Sequence, residues 1–500
     1  MEVFLMAQVK KMSQSEIDGV SYRRIPTWQV AIGQLHTGCA MAFYVLMGMM
    51  SYLGDVGYGM ATAAIGVLLS ATRIFDGIID PFLAVWIDKF NSKHGKMRIM
   101  LLLGFAIRAL AALMLFVWFS GKTKSVVLFV AMYLIYIVGN SIFDIIGNMA
   151  PAIMTNDPKQ RPTLQVWTTV YNYMFPMALN MVSTAVLLPM FGGEYNAAFL
   201  AAMCWVTVIF SLVMTVIACI GLTPVDKPEN FVGIAASSDE DKVSMKDMLK
   251  FLKDNKPFRQ YVYAAVSDKL AQNVTSQAIV TTMMFGILIG NMMFGTILTV
   301  ISMLPSIIFA IFGARYAGKH GSKKATITWT WVAMIVTLIT VVFCAVIDMR
   351  QINILGESGN IVVAAIFLIL LLAGNGSKMC VTTANGSMRA DIVDYEMDRS
   401  GKYLPAVVTA TYNFIDQLVT SLGATIATFS VAAIGYVDSL PQPTDAATPA
   451  IKWMAMILYF GLPILGWICT IFAMKGYHLT KEEMVNVQKR IADKKAELNQ

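Results

Sequence analysis

Two aspartates, Asp76 and Asp80, lie inside an apolar run that reads Arg73-Ile74-Phe75-Asp76-Gly77-Ile78-Ile79-Asp80-Pro81. On a helix, four-residue spacing stacks the two carboxylates on one face, and Arg73, three residues before Asp76, shares that face. A second apolar run supplies Asn140, Ser141 and Asp144, again one face of one helix. Three carboxylates against one nearby guanidinium make a negative pocket. Such a pocket takes a hard cation such as Na+ on oxygen ligands, with Ser141 able to add a hydroxyl. It takes a proton equally well, because clustered carboxylates raise one another's proton affinity. The plainer reading of the same residues is a structural network tying two helices together, with Arg73 as its supporting ion pair.

The elements that position these residues are membrane helices. Of 500 residues, 57% are hydrophobic and 14% charged, with mean hydropathy +0.63. Soluble domains carry about 25% charged residues. Twelve apolar runs of the length a bilayer requires occur at approximately 27–52, 59–87, 99–120, 125–153, 164–190, 195–222, 258–286, 290–313, 324–347, 361–383, 403–434 and 449–474. The fold class expected is an all-α polytopic membrane protein, with runs longer than 25 residues tilting or projecting from the bilayer. Continuous apolar runs exclude a soluble enzyme and a transmembrane barrel. At the centre of such a helix each Asp costs about 2.5–3.5 kcal/mol on insertion scales, so the acids need a role.

Thirty Lys and Arg fall on one side of this topology and four (Lys122, Lys124, Arg350 and Lys452) on the other. The positive-inside rule places both termini in the cytoplasm, in an inner or plasma membrane. The net charge of +7 follows from that bias toward an anionic leaflet and calls for no nucleic acid. The six cysteines form no CxxC pair, and no HExxH, Walker or nucleophile–base pattern appears. An enzyme, a resident cofactor and an ATP-driven pump are therefore not expected.

The polar stretch 223–257 divides the chain into a leader (1–26), an N-terminal six-helix bundle (27–222), a C-terminal six-helix bundle (258–474) and a tail (475–500). Lys93-His94-Gly95-Lys96 after the second run is echoed by Lys319-His320-Gly321-Ser322-Lys323 after the eighth, and Pro81 by Pro305. The same offset carries Asp76 and Asp80 onto Ser302 and Ser306, so the acids belong to one half only. Two six-helix halves that rock about a midplane site are the architecture of major facilitator transporters. Polar residues at membrane depth that could line a solute cavity are Gln34, His36, Asn148, Lys269, Lys378 and Asn413.

Several stretches together carry a family resemblance. Ala71-Thr72-Arg73-Ile74-Phe75-Asp76, Asp80-Pro81 and His94-Gly95-Lys96 resemble the second span and following loop of the glycoside–pentoside–hexuronide:cation symporters, the melibiose permease group. Phe143-Asp144-Ile145, Thr155-Asn156-Asp157 with Arg161 and Leu164, and Ala390-Asp391-Ile392-Val393-Asp394-Tyr395 are similar to further family stretches. The resemblance implies a cation site at Asp76, Asp80 and Asp144 with Ser141, and a cytoplasmic gate holding Arg161, Asp391 and Asp394. The family's sugar-binding Asp falls near Ala40, its fifth-span Arg near Thr169, and its eleventh-span Lys on Gln417, which places Thr169 and Gln417 toward the cavity without the family's sugar clamp. Ile79 stands between the two acids, where sodium-using members often carry a polar residue. The function implied is symport of a sugar, glycoside or uronide with Na+ or H+ by alternating access, with a monomer as the simplest assembly. A carrier of an amphiphile such as a lysolipid, and a receptor of the same fold that no longer transports, are the alternatives.

Overall fold

The computed structural model describes residues 25–90, 92, 95–155, 161–227, 245–303, 305–401 and 405–498. Most of the leader, Lys93, His94, Asn156, Asp157 and the acidic run 238–241 lie outside them. Every regular element among the described residues is a helix. The N-terminal half comprises α1 (Thr27–Gly33) and α2 (His36–Met47), then α3 (Thr62–Lys89), α4 (Lys96–Leu113), α5 (Val126–Met154), α6 (Arg161–Met181) and α7 (Ala197–Leu222). A short amphipathic helix, α8 (Met245–Asp254), leads into α9 (Lys256–Thr275). The C-terminal half continues with α10 (Met292–Met303), α11 (Ser306–His320), α12 (Ser322–Val346), α13 (Ile361–Ser400), α14 (Pro405–Thr420), α15 (Leu422–Ala433), α16 (Pro449–Met456) and α17 (Leu462–Gly476). The tail ends in α18 (Lys481–Leu498).

Twelve uninterrupted spans are not what the helices provide. Among the described residues ten helices are long and apolar enough to cross a membrane, or eleven if the pair Ala278–Leu288 and Met292–Ser302, bent by 115°, counts as one. The difference falls on the expected seventh and eighth spans. Gln260, Ser267, Asp268, Lys269, Gln272 and Asn273 make α9 too polar, and the next run is split between α10 and α11 beside Pro305. The stretch after residue 383 departs from expectation too. No proline interrupts α13, which stops only where Gly401 takes the left-handed conformation (φ 70°). Forty residues make a rod roughly 60 Å long, about twice the hydrocarbon thickness. Asp391 and Asp394 therefore stand on a projecting helix and not in a loop.

Close helix contact sets the N-terminal half. A Cβ on Gly139 would stand 2.6 Å from the Arg108 backbone nitrogen, and one on Gly104 would stand 2.8 Å from that of Phe143. Small residues thus let α4 and α5 approach backbone to backbone, as membrane helices do without a solvent drive. The start of α4 is capped from a distance. The Asp226 carboxylate accepts from the N–H groups of Lys96 (3.0 Å), Met97 (3.0 Å) and Arg98 (2.9 Å), and from Arg98 Nε at 3.1 Å. A carboxylate at that end satisfies orphan donors and meets the positive pole of the helix.

The two halves meet along one seam. At one end, Tyr52 OH donates to Pro441 O (2.7 Å), Asp55 Oδ2 accepts from Leu440 N (2.7 Å), Gln442 Oε1 accepts from Tyr195 N (3.0 Å) and Thr444 Oγ1 donates to Glu194 Oε1 (2.7 Å). Deeper in, Thr425 Oγ1 donates to Gly66 O (2.9 Å) and Ser70 Oγ to Ser421 O (2.6 Å). The innermost bond joins Gln417 to Asp76. Beyond it no hydrogen bond or ion pair joins the halves among the described residues. Five π-helical stretches, Leu53–Gly57, Met114–Trp118, Val182–Leu187, Thr282–Leu288 and Ile457–Gly461, lie toward the same sealed end.

Candidate cation and solute site

Helix α3 runs unbroken through Pro81 and carries Arg73, Asp76 and Asp80 on successive turns. Beside it, α5 brings Asn140, Ser141 and Asp144. Ser141 Oγ donates to Asp76 Oδ1 at 2.8 Å, and Gln417 Nε2, from the other half, donates to Asp76 Oδ2 at 3.2 Å. Asp144 Oδ2 accepts from Asn140 Nδ2 at 2.8 Å, one helical turn away. Asp80 is half-buried, and its Oδ1 is buried without a hydrogen-bond donor. An orphan carboxylate oxygen beside two other acids suits an oxygen-coordinated cation or a proton. The acids do not form a closed metal cage: among the described residues no three His, Cys, Asp or Glu side chains converge as a metal site.

Behind the acids lies Arg108, to which sequence reading assigned no function. It is fully buried, with its guanidinium 3.5 Å from the Phe143 ring centroid and 4.5 Å from that of Phe43. Its Nη1 donates to Asn140 Oδ1 at 3.3 Å and its Nη2 to Cys39 Sγ at 2.6 Å. Asn140 thus accepts from the arginine and donates to Asp144. The only sequence signal for this part was a charge in the middle of an apolar run.

Asp76 and Asp144 open into a cavity of about 580 Å3, a size typical of small-molecule sites. Gln34, His36, Asn148, Gln417 and Arg73 line it as well, together with Thr37, Tyr44, Tyr133, Tyr136, Asn140, Thr168 and Asn172. Gln34 Oε1 accepts from Thr168 Oγ1 (3.3 Å), and His36 Nδ1 lies 3.0 Å from Gly33 O. The aromatic and amide lining of α2, α5 and α6 gave no motif, because these residues become neighbours only when the helices pack.

Several expected placements differ. Arg73 faces the cavity but makes no ion pair or hydrogen bond among the described residues, so it is not the expected supporting ion pair; sharing a helix face does not bring a long side chain within bonding distance of its neighbour. Lys269, Lys378 and Asn413 do not line the cavity, whose only wall residue from the C-terminal half among the described residues is Gln417. Lys378 lies over Trp467, 5.9 Å from its ring centroid. The side chains of Thr169 and Arg161 lie outside the described residues. Asp391 and Asp394 line a separate cavity of about 690 Å3 against the tail helix, with Lys481 and Lys489 opposite. Gln488 Nε2 donates to Asp394 Oδ2 at 2.8 Å, so this acid is held by the tail and not by the N-terminal half.

Similarity to known proteins runs the length of the chain. Solved structures of the same fold include a proton-dependent oligopeptide transporter (TM-score 0.58, 12% identity, 92% of this chain and 100% of that one) and the nucleoside transporter NupG (TM-score 0.55, 14% identity, 90% and 98%). Among curated relatives are the putative glycoside/cation symporter YagG of Escherichia coli (strain K12), 22% identical over 94% of this chain and 95% of its own, and the isoprimeverose transporter of Lactiplantibacillus pentosus, 23% identical over 89% and 87%. The glucuronide carrier protein homolog of Escherichia coli (strain K12) is 22% identical over 93% and 96%. A family model described as MFS/sugar transport protein matches residues 30–481, nearly every helix described above, and on that match the chain belongs to this family.

Proposed function

We propose that the chain is a cation-coupled symporter that moves a carbohydrate across a membrane by alternating access. Asp76 carries the proposal: it is hydrogen-bonded from Ser141 in one half and from Gln417 in the other, at the innermost point of the seam between them. A cation held by Asp76, Asp80 and Asp144 neutralises the pocket beside the solute cavity. The same event alters how strongly Asp76 holds Gln417, so ion binding acts on the contact between the halves. The coupling ion is Na+ or H+. The positive-inside bias supports an orientation with the open end of the seam at the cytoplasm and the sealed end outside, as in an inward-facing carrier of an inner or plasma membrane with both termini inside.

The amide, hydroxyl and charged lining of the cavity favours a polar solute over a lysolipid, and its homologues named for glycosides, isoprimeverose and glucuronides point to a sugar or sugar acid. Accumulation of labelled glycosides in vesicles, driven separately by a Na+ gradient and by a proton gradient, tests the proposal. Uphill uptake under one gradient supports it. Binding without ion-driven accumulation identifies a receptor and overturns it.

A further inference from the structure

We infer that the C-terminal half carries a proton-binding site of its own, Asp268 with Lys378 as its resident counter-charge, separate from the acid cluster around Asp76. Its use in transport rests on the symport proposal; the binding of the proton does not. Asp268 is buried on α9, and its Oδ2 accepts from Gln272 Nε2 at 2.9 Å. The neighbouring helices surround it with donors and positive charge. From α17 comes Trp467, fully buried, whose Nε1 faces the Asp268 carboxylate without closing a hydrogen bond to it. From α13 comes Lys378, the charge that acts most strongly on Asp268, as Asp268 does on Lys378. Tyr412 of α14 also stands within electrostatic reach. Lys269, the next residue along α9, is exposed and acts on Asp268 more weakly than Lys378 does. The helix α15, packed against α9 as well, has no titratable side chain.

The pair is open. Among the described residues Lys378 makes no hydrogen bond and no ion pair, and its ammonium rests over the Trp467 ring, 5.9 Å from the centroid. Two charges that only brace helices gain from direct contact, because separation leaves the cost of desolvating both unreturned. A buried carboxylate held by one amide, with the ammonium standing off, is instead readily discharged by a proton. The surroundings also select the ion. Gln272 Nε2, Trp467 Nε1 and Lys378 Nζ present N–H groups and a positive charge, where a metal ion needs a shell of oxygens. A proton needs one oxygen.

The step is a single one: a proton from water forms an O–H bond on Asp268, and no bond in the protein breaks. Lys378, half-buried, then lacks its counter-charge and is drawn toward water. Close contacts carry such a change to the seam. Asn273, five residues beyond Asp268 on α9, fills the space that a Cβ on Gly423 of α15 would take. In turn α15 presses on α3, where Thr428 fills the space of a Cβ on Gly66.

Infrared difference spectra of the full chain in lipid nanodiscs, taken between an acid and a neutral pH, read protonated carboxyls directly. With Asp76→Asn, Asp80→Asn and Asp144→Asn in place, a carboxyl signal is expected to remain, and adding Asp268→Asn should remove part of it. Asp268→Asn alone strands Lys378, so the removal is repeated with Asp268→Asn and Lys378→Met together. That double variant should recover the thermal unfolding midpoint that either single change lowers. In an otherwise unaltered chain it should bind glycoside within about twofold of normal, while proton-driven accumulation in vesicles falls at least about tenfold. A pure brace would recover accumulation along with stability. A carboxyl signal unchanged by Asp268→Asn, alone or in the double variant, overturns the inference and leaves sugar symport standing. Normal accumulation in the double variant overturns it too, as does a double variant less stable than both single ones. If the unaltered chain accumulates no glycoside under any ion gradient, symport falls, and the infrared signal still decides whether Asp268 binds the proton.

Discussion

The side-chain amide of Gln417 donates to the carboxylate of Asp76 across 3.2 Å, and among the described residues this is the innermost hydrogen bond between the two halves. One carboxylate thereby belongs both to the acid cluster and to the seam. Gln417→Ala should leave the acids in place and loosen the link between ion occupancy and closure. Solute binding should survive while ion-driven accumulation falls at least about tenfold, read as binding and uptake on the same preparation. Parallel losses in both measurements would refute this division.

Asp76→Ala and Asp80→Ala should each abolish coupled uptake while the protein still inserts and purifies as a folded species. Asp80 is the sharper probe, because its buried Oδ1 has no protein donor whose loss would confuse the result. Full uptake with unchanged ion dependence in both variants would remove the acids from the mechanism.

At the sealed end, Asp55 is buried and receives the Leu440 N–H at 2.7 Å. Asp55→Ala strands that N–H, at a cost of about 1–3 kcal/mol that falls only on the closed arrangement. Spin labels on opposite sides of the seam should show a larger population of long separations, and a smaller change in Asp55→Asn, which keeps an oxygen acceptor. An unaltered distance distribution in Asp55→Ala would mean the bond does not hold this end shut.

Asp226 satisfies three backbone N–H groups at the start of α4. Asp226→Ala should lower stability by about 2–3 kcal/mol, visible as a fall in the thermal unfolding midpoint in detergent. The contact lies away from the cavity, so solute affinity at low temperature should be unchanged.

Acid should loosen the tail. His478 packs edge-on to Tyr395, with ring centroids 5.5 Å apart. Burial holds its pKa below the ordinary 6.5; Glu483 opposes the shift, and Lys256 and Lys323 reinforce it. The undocked ring therefore binds a proton more readily than the docked one. Docking keeps its full strength above that ordinary value and loses it as the pH falls through it toward the lowered one. Protection of the amides across 481–498, taken relative to their intrinsic exchange rate at each pH, should fall on acidification, and His478→Phe should flatten the response.

The parts legible in the sequence were those set by one helix at a time. The spacing of Asp76 and Asp80, and of Ser141 and Asp144, states which side chains share a face, and length with hydropathy states where helices can cross. What depends on two helices meeting was not legible. Gln417 reaches Asp76 through the register of α14 against α3, across 341 residues of chain. Arg108 matters because Gly104 and Gly139 let two backbones touch. Arg73 was misjudged for the opposite reason: helical periodicity gives a direction and says nothing of whether a flexible side chain bonds to its neighbour or turns to open space. The polar α9 shows the limit of hydropathy itself, since a helix rich in amides and charges fails the apolar test that its neighbours pass.

Each of the five π-helical stretches holds one residue more than an α turn would. Letting that residue go would rotate everything past it by roughly 100° about the helix axis while leaving the helix hydrogen-bonded. The rim of the molecule thus stores spare winding, and a single sequence can present two different sets of side chains there by taking up or releasing slack.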